Sequence, residues 1–182
     1  LAEACAERGA EVTLVAGPVS LKTHHPAIKR IDVESAGEMY QAAMTAFPSS
    51  DAAILCAAVA DYRPENASEQ KIKRETEREM TLHLVPNPDI AASLGAIKRE
   101  GQVMVGFALE TNDEATHAEG KLKRKNLDFI VLNSLRDQGA GFRCDTNKIT
   151  IIDNAGGVTS YPLKTKREVA CDIVNKLVTL LK

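Results

Sequence analysis

Short apolar segments alternate with amphipathic segments over most of this chain. Strand patterns lie at residues 11–16, 28–33, 53–59, 80–85, 102–109 and 127–132. Helical patterns fall between several of them, at residues 35–47, 87–100 and 112–125. Repeated strand–helix–strand units of this length predict an α/β fold in which helices cover both faces of a parallel sheet.

Residues 87–89 carry a pattern typical of a helix start. Asn87 is the expected N-cap, Pro88 takes the first helical position, and Asp89 places an acid in the first turn. The free backbone N–H groups at such a start also form an anion site. The segment is therefore either a plain helix start or a contact for a phosphate-rich ligand.

The alternation changes after residue 133. Strand patterns at residues 148–153 and 158–162 flank a Gly-rich turn, which predicts a β-hairpin. Thr165 and Glu168 then match a capping box in front of an apolar final helix. Because a hairpin at the edge of a sheet leaves backbone groups unpaired, we expect residues 134–163 to form a dimerisation region within a single domain, residues 1–182.

The net charge limits the classes of partner. The chain has 182 residues, a formal net charge of −2 and no tryptophan. A nucleic-acid-binding domain is typically basic, and binding of single strands needs aromatic stacking platforms. The composition therefore argues against nucleic acid. No run of about 18 apolar residues is present, so we expect no membrane span.

The cysteines indicate a reducing compartment. The chain has four of them and no C-x-x-C pair, which argues against a zinc site. Cys5, Cys56 and Cys171 lie in apolar or helical patterns, and we expect them to be small core residues. Free thiols of this kind fit the cytoplasm.

Polar residues follow three of the predicted strands. Asp61 and a cationic group (Lys71, Lys73, Arg74) come after the strand at 53–59, the segment 106–110 ends the strand at 102–109, and Asn133 ends the strand at 127–132. In open parallel sheets, ligands bind beyond the carboxyl ends of the strands. The sequence therefore predicts one site at this edge of the sheet.

Each candidate residue also has a plainer interpretation. The lysines at 71 and 73 suit phosphate oxygens, or they belong to a solvated charged loop. Lys121 and Lys125 share one side of a helix, where they contact a ligand or complement the helix dipole. Asp61 anchors a ribose hydroxyl or a metal, or it caps a turn. Phe107 is a core residue or a platform for a base.

Together these segments resemble the phosphopantothenoylcysteine synthetases, the ligase half of bacterial coenzyme A biosynthesis proteins. The resemblance covers essentially the whole chain and rests on GAEVTLVAGPVSL (9–21), AAVADYRP (57–64), KIKR (71–74), NPDI (87–90), GFALET (106–111), KLKRKNLDFIVLN (121–133) and GFRCDTNKITII (141–152). It implies a Rossmann-like fold and a homodimer, with residues 141–152 helping to build the dimer. It also implies condensation of 4′-phosphopantothenate with L-cysteine through an acyl-cytidylate, with CTP and Mg²⁺.

The resemblance also implies roles for individual residues. Lys71 matches the essential, catalytic lysine of the family. The residues that match its CTP contacts are Ala57, Asp61, Asn87, Pro88, Asp89, Ile90, Phe107, Lys121 and Lys125. It assigns no metal ligand here. The choice between CTP and ATP stays open, because it depends largely on backbone contacts near Ala57 and the segment 87–90.

Two features of the family are not found in the chain. Its Gly-rich N-terminal loop, with an asparagine that contacts the acyl-cytidylate, would precede Leu1, and so would a decarboxylase that is fused or separate. We therefore expect a domain without its N-terminal strand. Two other classes remain open: an NAD(P)-dependent oxidoreductase, which would need a G-x-G-x-x-G run, and a non-catalytic nucleotide-binding or dimerisation fragment.

Overall fold

The computed structural model describes residues 1–66, 68, 70–72, 80–110, 114–134 and 144–181. Its helices are α1 (Ala2–Ala6), α2 (Ala36–Ala46), α3 (Ile90–Ile97), α4 (Glu114–Arg124) and α5 (Lys166–Leu180), with a 3₁₀ turn at Phe47–Ser49. Its strands are β1 (Val12–Ala16), β2 (Ile28–Asp32), β3 (Ala52–Leu55), β4 (Tyr62–Pro64), β5 (Leu84–Pro86), β6 (Val103–Glu110), β7 (Phe129–Ser134), β8 (Thr146–Asn147), β9 (Ile149–Asp153), β10 (Val158–Ser160) and β11 (Lys164–Thr165).

A five-stranded sheet organises the molecule. Its strand order is β10-β9-β7-β6-β3, in which β3, β6 and β7 run parallel and β9 is antiparallel to both β7 and β10. The predicted α/β class and the hairpin after residue 133 are confirmed. The other described strands form two-stranded pairs: β1 with β2 is parallel, whereas β4 with β5 and β8 with β11 are antiparallel.

Helices cover both faces of this sheet because successive strand residues point to opposite sides. On one face, Met104 and Ile130 are buried against Leu94 of α3 and Leu122 of α4. On the other face, the buried residues of the sheet pack against the apolar side of α5, in a cluster of Val103, Val105, Phe129, Val131, Ile149, Ile151, Val169, Ile173 and Leu177. The predicted apolar face of the last helix is thus confirmed.

Two helix starts follow their sequence patterns. Ser35 caps α2, and its hydroxyl accepts a hydrogen bond from the Glu38 amide at 3.1 Å. Thr165 and Glu168 form a complete capping box at α5. In both cases all partners lie within three residues of each other, so the local sequence is sufficient to set the helix start.

The start of α3 differs from the prediction, and Asn87 is not its cap. Asp89 is the N-cap, its carboxylate accepts a hydrogen bond from the Ala92 amide at 3.0 Å, and the helix begins at Ile90. The side chain of Asn87 instead donates to the carbonyl of Ala60 at 2.9 Å. A tertiary contact therefore takes the amide away from the helix start.

Two strands are shorter than their apolar patterns. The strand β3 ends at Leu55, and a tight local turn follows in which the Val59 amide donates to the carbonyl of Ala57. Cys56 follows this end and is exposed, which corrects the expectation that it lies in the core. The strand β5 covers only residues 84–86, where it pairs with β4 in a two-stranded ribbon.

Candidate functional site

The three parallel strands β3, β6 and β7 bring their carboxyl ends to one edge of the sheet. Leu55, the last residue of β3, pairs with Gly106 of β6, and Asn133 near the end of β7 pairs with Leu109 of β6. The side-chain oxygen of Asn133 accepts a hydrogen bond from the Asn147 amide at 2.8 Å. The segments that sequence analysis placed at this edge therefore follow neighbouring strands, as predicted.

Asn87 anchors the segment that follows β3. Its backbone amide donates to the Asp61 carbonyl at 2.8 Å, and its side-chain Nδ2 donates to the Ala60 carbonyl at 2.9 Å. Its Oδ1 accepts from Nη1 of Arg63 at 3.2 Å, and the same Nη1 donates to the Pro86 carbonyl at 2.8 Å. Two predicted site residues, Asp61 and Asn87, are thus in direct contact.

Asp89 and Lys125 form a second contact at the start of α3. The Lys125 ammonium lies 3.0 Å from Oδ2 of Asp89, and about half of the aspartate side chain is exposed. Partial burial raises the pKa of Asp89, but the Ala92 amide and the Lys125 ammonium outweigh it and hold the pKa below its ordinary value. Asp89 is therefore an anion near neutral pH, and its charge is largely matched by Lys125.

A close backbone contact supports this ion pair. A Cβ built on Gly95 of α3 would lie 2.2 Å from the carbonyl oxygen of Lys125, a distance that no side chain tolerates. Asn126 follows with φ 52°, and its Nδ2 donates to the Gly95 carbonyl at 3.0 Å. Lys98 Nζ donates in turn to the Asn126 carbonyl at 3.2 Å. The helix α3 is thereby seated on the turn between α4 and β7.

The remaining predicted residues take separate positions. Lys71 is exposed and lies outside the described helices and strands, whereas Lys73 and Arg74 lie outside the described residues. Lys121 is partly buried, and the hydrogen bond from the Lys125 amide to its carbonyl, 3.0 Å, places the two lysines one turn apart as predicted.

The apolar candidates lie against the core. Ile90 packs against the cluster under α3 and α4, and Phe107 packs against the cluster under α5. This packing supports the core interpretation of Phe107. Its part in nucleotide binding stays a prediction, as it does for Ala57, Pro88 and the charged residues of the edge.

The contacts of Arg63 with Pro86 and Asn87 are not predicted by the sequence. The residue lies inside the AAVADYRP segment, but an arginine in a polar loop carries no signal for its partners. Those partners, Pro86 and Asn87, are 23 and 24 residues away and become neighbours only when β4 pairs with β5. Knowledge of that pairing would have been needed to find them.

Two surface cavities lie at the opposite edge of the sheet. One, of about 290 Å³, is lined by residues 98–102 with Asn126 and Asp128, and the other, of about 390 Å³, by parts of 122–127 and 153–156. Both border the amino ends of β6 or β7. We place the candidate site at the carboxyl edge because the topology of parallel sheets favours that edge. The contacts of Asn87 with Ala60 and Asp61, just beyond the end of β3, lie there.

Among the described residues, no group of three or more His, Cys, Asp or Glu side chains could hold a metal ion. Isolated carboxylates such as Asp61 still fit Mg²⁺, which commonly takes one or two protein carboxylates and completes its shell with phosphates and water. Within the same part of the chain, no helix is both long and apolar enough to cross a membrane.

Fold and site together define a class: an α/β domain in which a network of polar contacts follows a parallel strand at the carboxyl edge of a mixed sheet. Residues 1–181 match the family described as DNA/pantothenate metabolism flavoprotein C-terminal domain, and the chain belongs to this family.

Individual relatives agree with this family. A protein named cysteine/cysteine sulfinic acid decarboxylase, from an unknown prokaryotic organism, is 56% identical over 181 residues, which are 100% of this chain and 50% of that protein. The coenzyme A biosynthesis bifunctional protein CoaBC of Vibrio parahaemolyticus is 45% identical over 182 residues, 100% of this chain and 45% of that protein. The chain thus spans about half the length of the curated relatives it matches.

A solved structure agrees as well. The crystal structure of the C-terminal domain of the coenzyme A biosynthesis bifunctional protein CoaBC has a TM-score of 0.81 and 33% identity, covering 99% of this chain and 79% of that chain. The resemblance to the ligase half of such proteins is therefore confirmed at the level of family and fold.

Proposed function

We propose that this chain is the ligase domain of a coenzyme A biosynthesis protein and condenses 4′-phosphopantothenate with L-cysteine at the expense of CTP. The observation that carries the proposal is the family match over residues 1–181, joined with the 33% identity to the CoaBC C-terminal domain. The polar contacts at the carboxyl edge of the sheet support a ligand site there.

The proposed reaction has two steps. The carboxylate of 4′-phosphopantothenate attacks the α-phosphorus of CTP, and pyrophosphate leaves with its bonding electron pair. The amine of cysteine then attacks the acyl carbon of the acyl-cytidylate, loses a proton, and expels CMP. Catalysis of both steps depends mainly on positioning the reactants and on stabilising negative charge that develops on oxygen.

Each residue at the edge has a proposed part. Lys71 is exposed, and a lysine carries a point charge on a flexible side chain. It stabilises the α-phosphate and the acyl-cytidylate. Asp61 holds the nucleotide or its Mg²⁺, an ion that would neutralise phosphate charge when bound. Asp89 and Lys125, paired at 3.0 Å, form the wall of the site beside α3, and Lys121 lies one turn before Lys125.

The test is pyrophosphate release by the complete protein supplied with CTP, Mg²⁺, 4′-phosphopantothenate and cysteine. Lys71→Gln should lower kcat about a hundredfold or more, because one stabilising donor near developing charge is typically worth that much. Lys166→Gln, which removes an exposed lysine of α5, is the matched control and should keep the wild-type rate. A Lys71→Gln variant with near wild-type turnover would contradict the catalytic role proposed for this residue.

The same mixture separates the other classes. Oxidation or reduction of an added nicotinamide without pyrophosphate release would support the oxidoreductase, and neither signal would support a non-catalytic fragment. Replacing CTP by ATP in the assay decides which nucleotide is used.

The assembly is part of the proposal. We infer a homodimer built through residues 134–163, because the hairpin β9–β10 ends the sheet and leaves an outer edge on β10. A decarboxylase, fused or separate, is the proposed partner, supported by relatives about twice the length of this chain. A monomer in light scattering at micromolar concentration would contradict the dimer.

A further inference from the structure

We propose that Arg63 is a positioning residue for the nucleotide site: it sets the orientation of the Asn87 amide, and Asn87 in turn fixes the loop that carries Ala57 and Asp61. The inference rests on the proposed function for its ligand. Its structural part concerns only hydrogen bonds within this chain, so the two can be tested separately.

The loop after β3 needs an anchor from outside. Beyond Leu55 the chain leaves the sheet, and the bond from the Val59 amide to the Ala57 carbonyl, 3.1 Å, is purely local. The carbonyls of Ala60 and Asp61, by contrast, both accept hydrogen bonds from Asn87. Asn87, at the junction of β5 and α3, therefore ties the end of this loop to the segment that leads into α3.

Only one orientation of the Asn87 amide can do this. The Ala60 carbonyl is an acceptor and must face the NH₂ group, while the guanidinium of Arg63 has donors only and must face the oxygen. The observed contacts, Nδ2 to Ala60 at 2.9 Å and Oδ1 to Arg63 at 3.2 Å, satisfy both demands. Without Arg63, the amide oxygen loses this donor, and the Ala60 carbonyl is left to orient the amide through the NH₂ group alone.

The β4–β5 ribbon places the guanidinium. Arg63 is the middle residue of β4 and pairs with Val85, so its side chain starts one residue from Pro86 and two from Asn87 along β5. The additional bond of Nη1 to the Pro86 carbonyl at 2.8 Å restricts the guanidinium to the end of the ribbon next to α3. A short ribbon outside the five-stranded sheet thereby acts on the geometry of a site loop.

The substitution Arg63→Met removes the donors and keeps an unbranched side chain. We expect the exchange rate of the Asn87 backbone amide, bonded to Asp61, to rise about tenfold, and the KM for CTP to rise about tenfold while kcat changes less than about twofold. The substitution Arg63→Lys should recover most of both effects, because one nitrogen atom makes both bonds and an ammonium group can replace it.

Arg99 supplies the matched control. Its Nη2 donates to the Pro48 carbonyl at 2.8 Å, the same kind of bond as that of Arg63 to Pro86, but at the opposite edge of the sheet. The substitutions Arg63→Met and Arg99→Met should lower the melting temperature by similar amounts. Arg99→Met should leave the KM for CTP unchanged. A merely structural role for Arg63 would make the two variants alike in both measurements.

The outcomes divide cleanly. Faster exchange at Asn87 together with a higher KM in Arg63→Met alone supports the proposal. Unchanged exchange at Asn87, or a KM equal to that of the wild type, overturns it while leaving the ligase intact. If the wild type neither binds nor uses CTP, the proposed function fails, and the positioning role for a nucleotide fails with it, even where the exchange data show that Arg63 holds Asn87.

Discussion

Gly95 lies so close to the turn after α4 that replacing this glycine by alanine should measurably lower the stability of the domain. In Gly95→Ala, the new methyl group would lie 2.2 Å from the Lys125 carbonyl oxygen, 2.8 Å from its carbonyl carbon and 3.2 Å from Cβ of Asn126. Two of the three atoms are backbone, so no side chain can rotate away. The helix α3 and the turn must separate by about 1 Å to reach ordinary contact distances.

The expected free energy follows from three contributions. Overpacking of this kind costs about 2 kcal/mol. The hydrogen bond from Asn126 to the Gly95 carbonyl, 3.0 Å, is stretched, which costs about 1 kcal/mol. The better helix propensity of alanine returns about 1 kcal/mol. The net loss is about 2 kcal/mol, which for a domain of this size lowers the melting temperature by about 4–8 °C.

Thermal unfolding followed by circular dichroism measures this loss, and Gly120 provides the control. Gly120 lies in α4, and a Cβ there would have nothing within 4 Å. Gly120→Ala should therefore raise the melting temperature by about 2 °C through propensity alone. If Gly95→Ala is as stable as Gly120→Ala, the steric reasoning is refuted.

Two further changes test the ends of α5 and the last hairpin. Thr165→Ala removes the hydroxyl that accepts from the Glu168 amide and should cost about 1 kcal/mol in urea unfolding, whereas Thr165→Ser should keep most of the stability; equal losses would contradict the capping role. Lys176 donates to Asp153 at 2.8 Å and, with the Gly157 amide, lowers the pKa of Asp153 from its ordinary 3.8. Because the unfolded chain then binds a proton more readily than the folded one, this stabilisation is present above pH 3.8 and is lost as the pH falls through the folded pKa. Asp153→Asn should remove that part of the acid sensitivity of the unfolding free energy, and an unchanged pH profile would argue against it.

Local patterns predicted those parts of the fold whose partners are close in sequence. The capping box of Thr165 and Glu168 needs only four consecutive residues, and the hairpin of β9 and β10 needs only its turn. The start of α3 was misplaced by two residues because Asn87 has a distant partner, Ala60, which lies 27 residues earlier. Asparagine and aspartate cap helices about equally well, so the cap falls to Asp89 because the tertiary hydrogen bond engages Asn87.

The site shows the same division. The resemblance marked Asp89 and Lys125 individually, yet neither periodicity nor spacing indicates that an ion pair of 3.0 Å joins them. That pair depends on the close approach of α3, at Gly95, to the turn after α4. The two segments are neighbours only in the folded chain. The ribbon was also beyond prediction, because strands of three residues are too short to show a period.

The ribbon of β4 and β5 also influences how molecules of this protein associate at high concentration. Tyr62 is 61% exposed and Leu84 is 52% exposed. They lie on one face because Tyr62 is two residues from Pro64 on β4 and Leu84 pairs directly with Pro64. Pro64 and Pro86 have no N–H group, so the outer edges of the ribbon are poor templates for strand addition. Contacts that crowded or salted-out molecules make at this ribbon will therefore use its apolar face and dissolve on dilution, and they will not extend strand by strand.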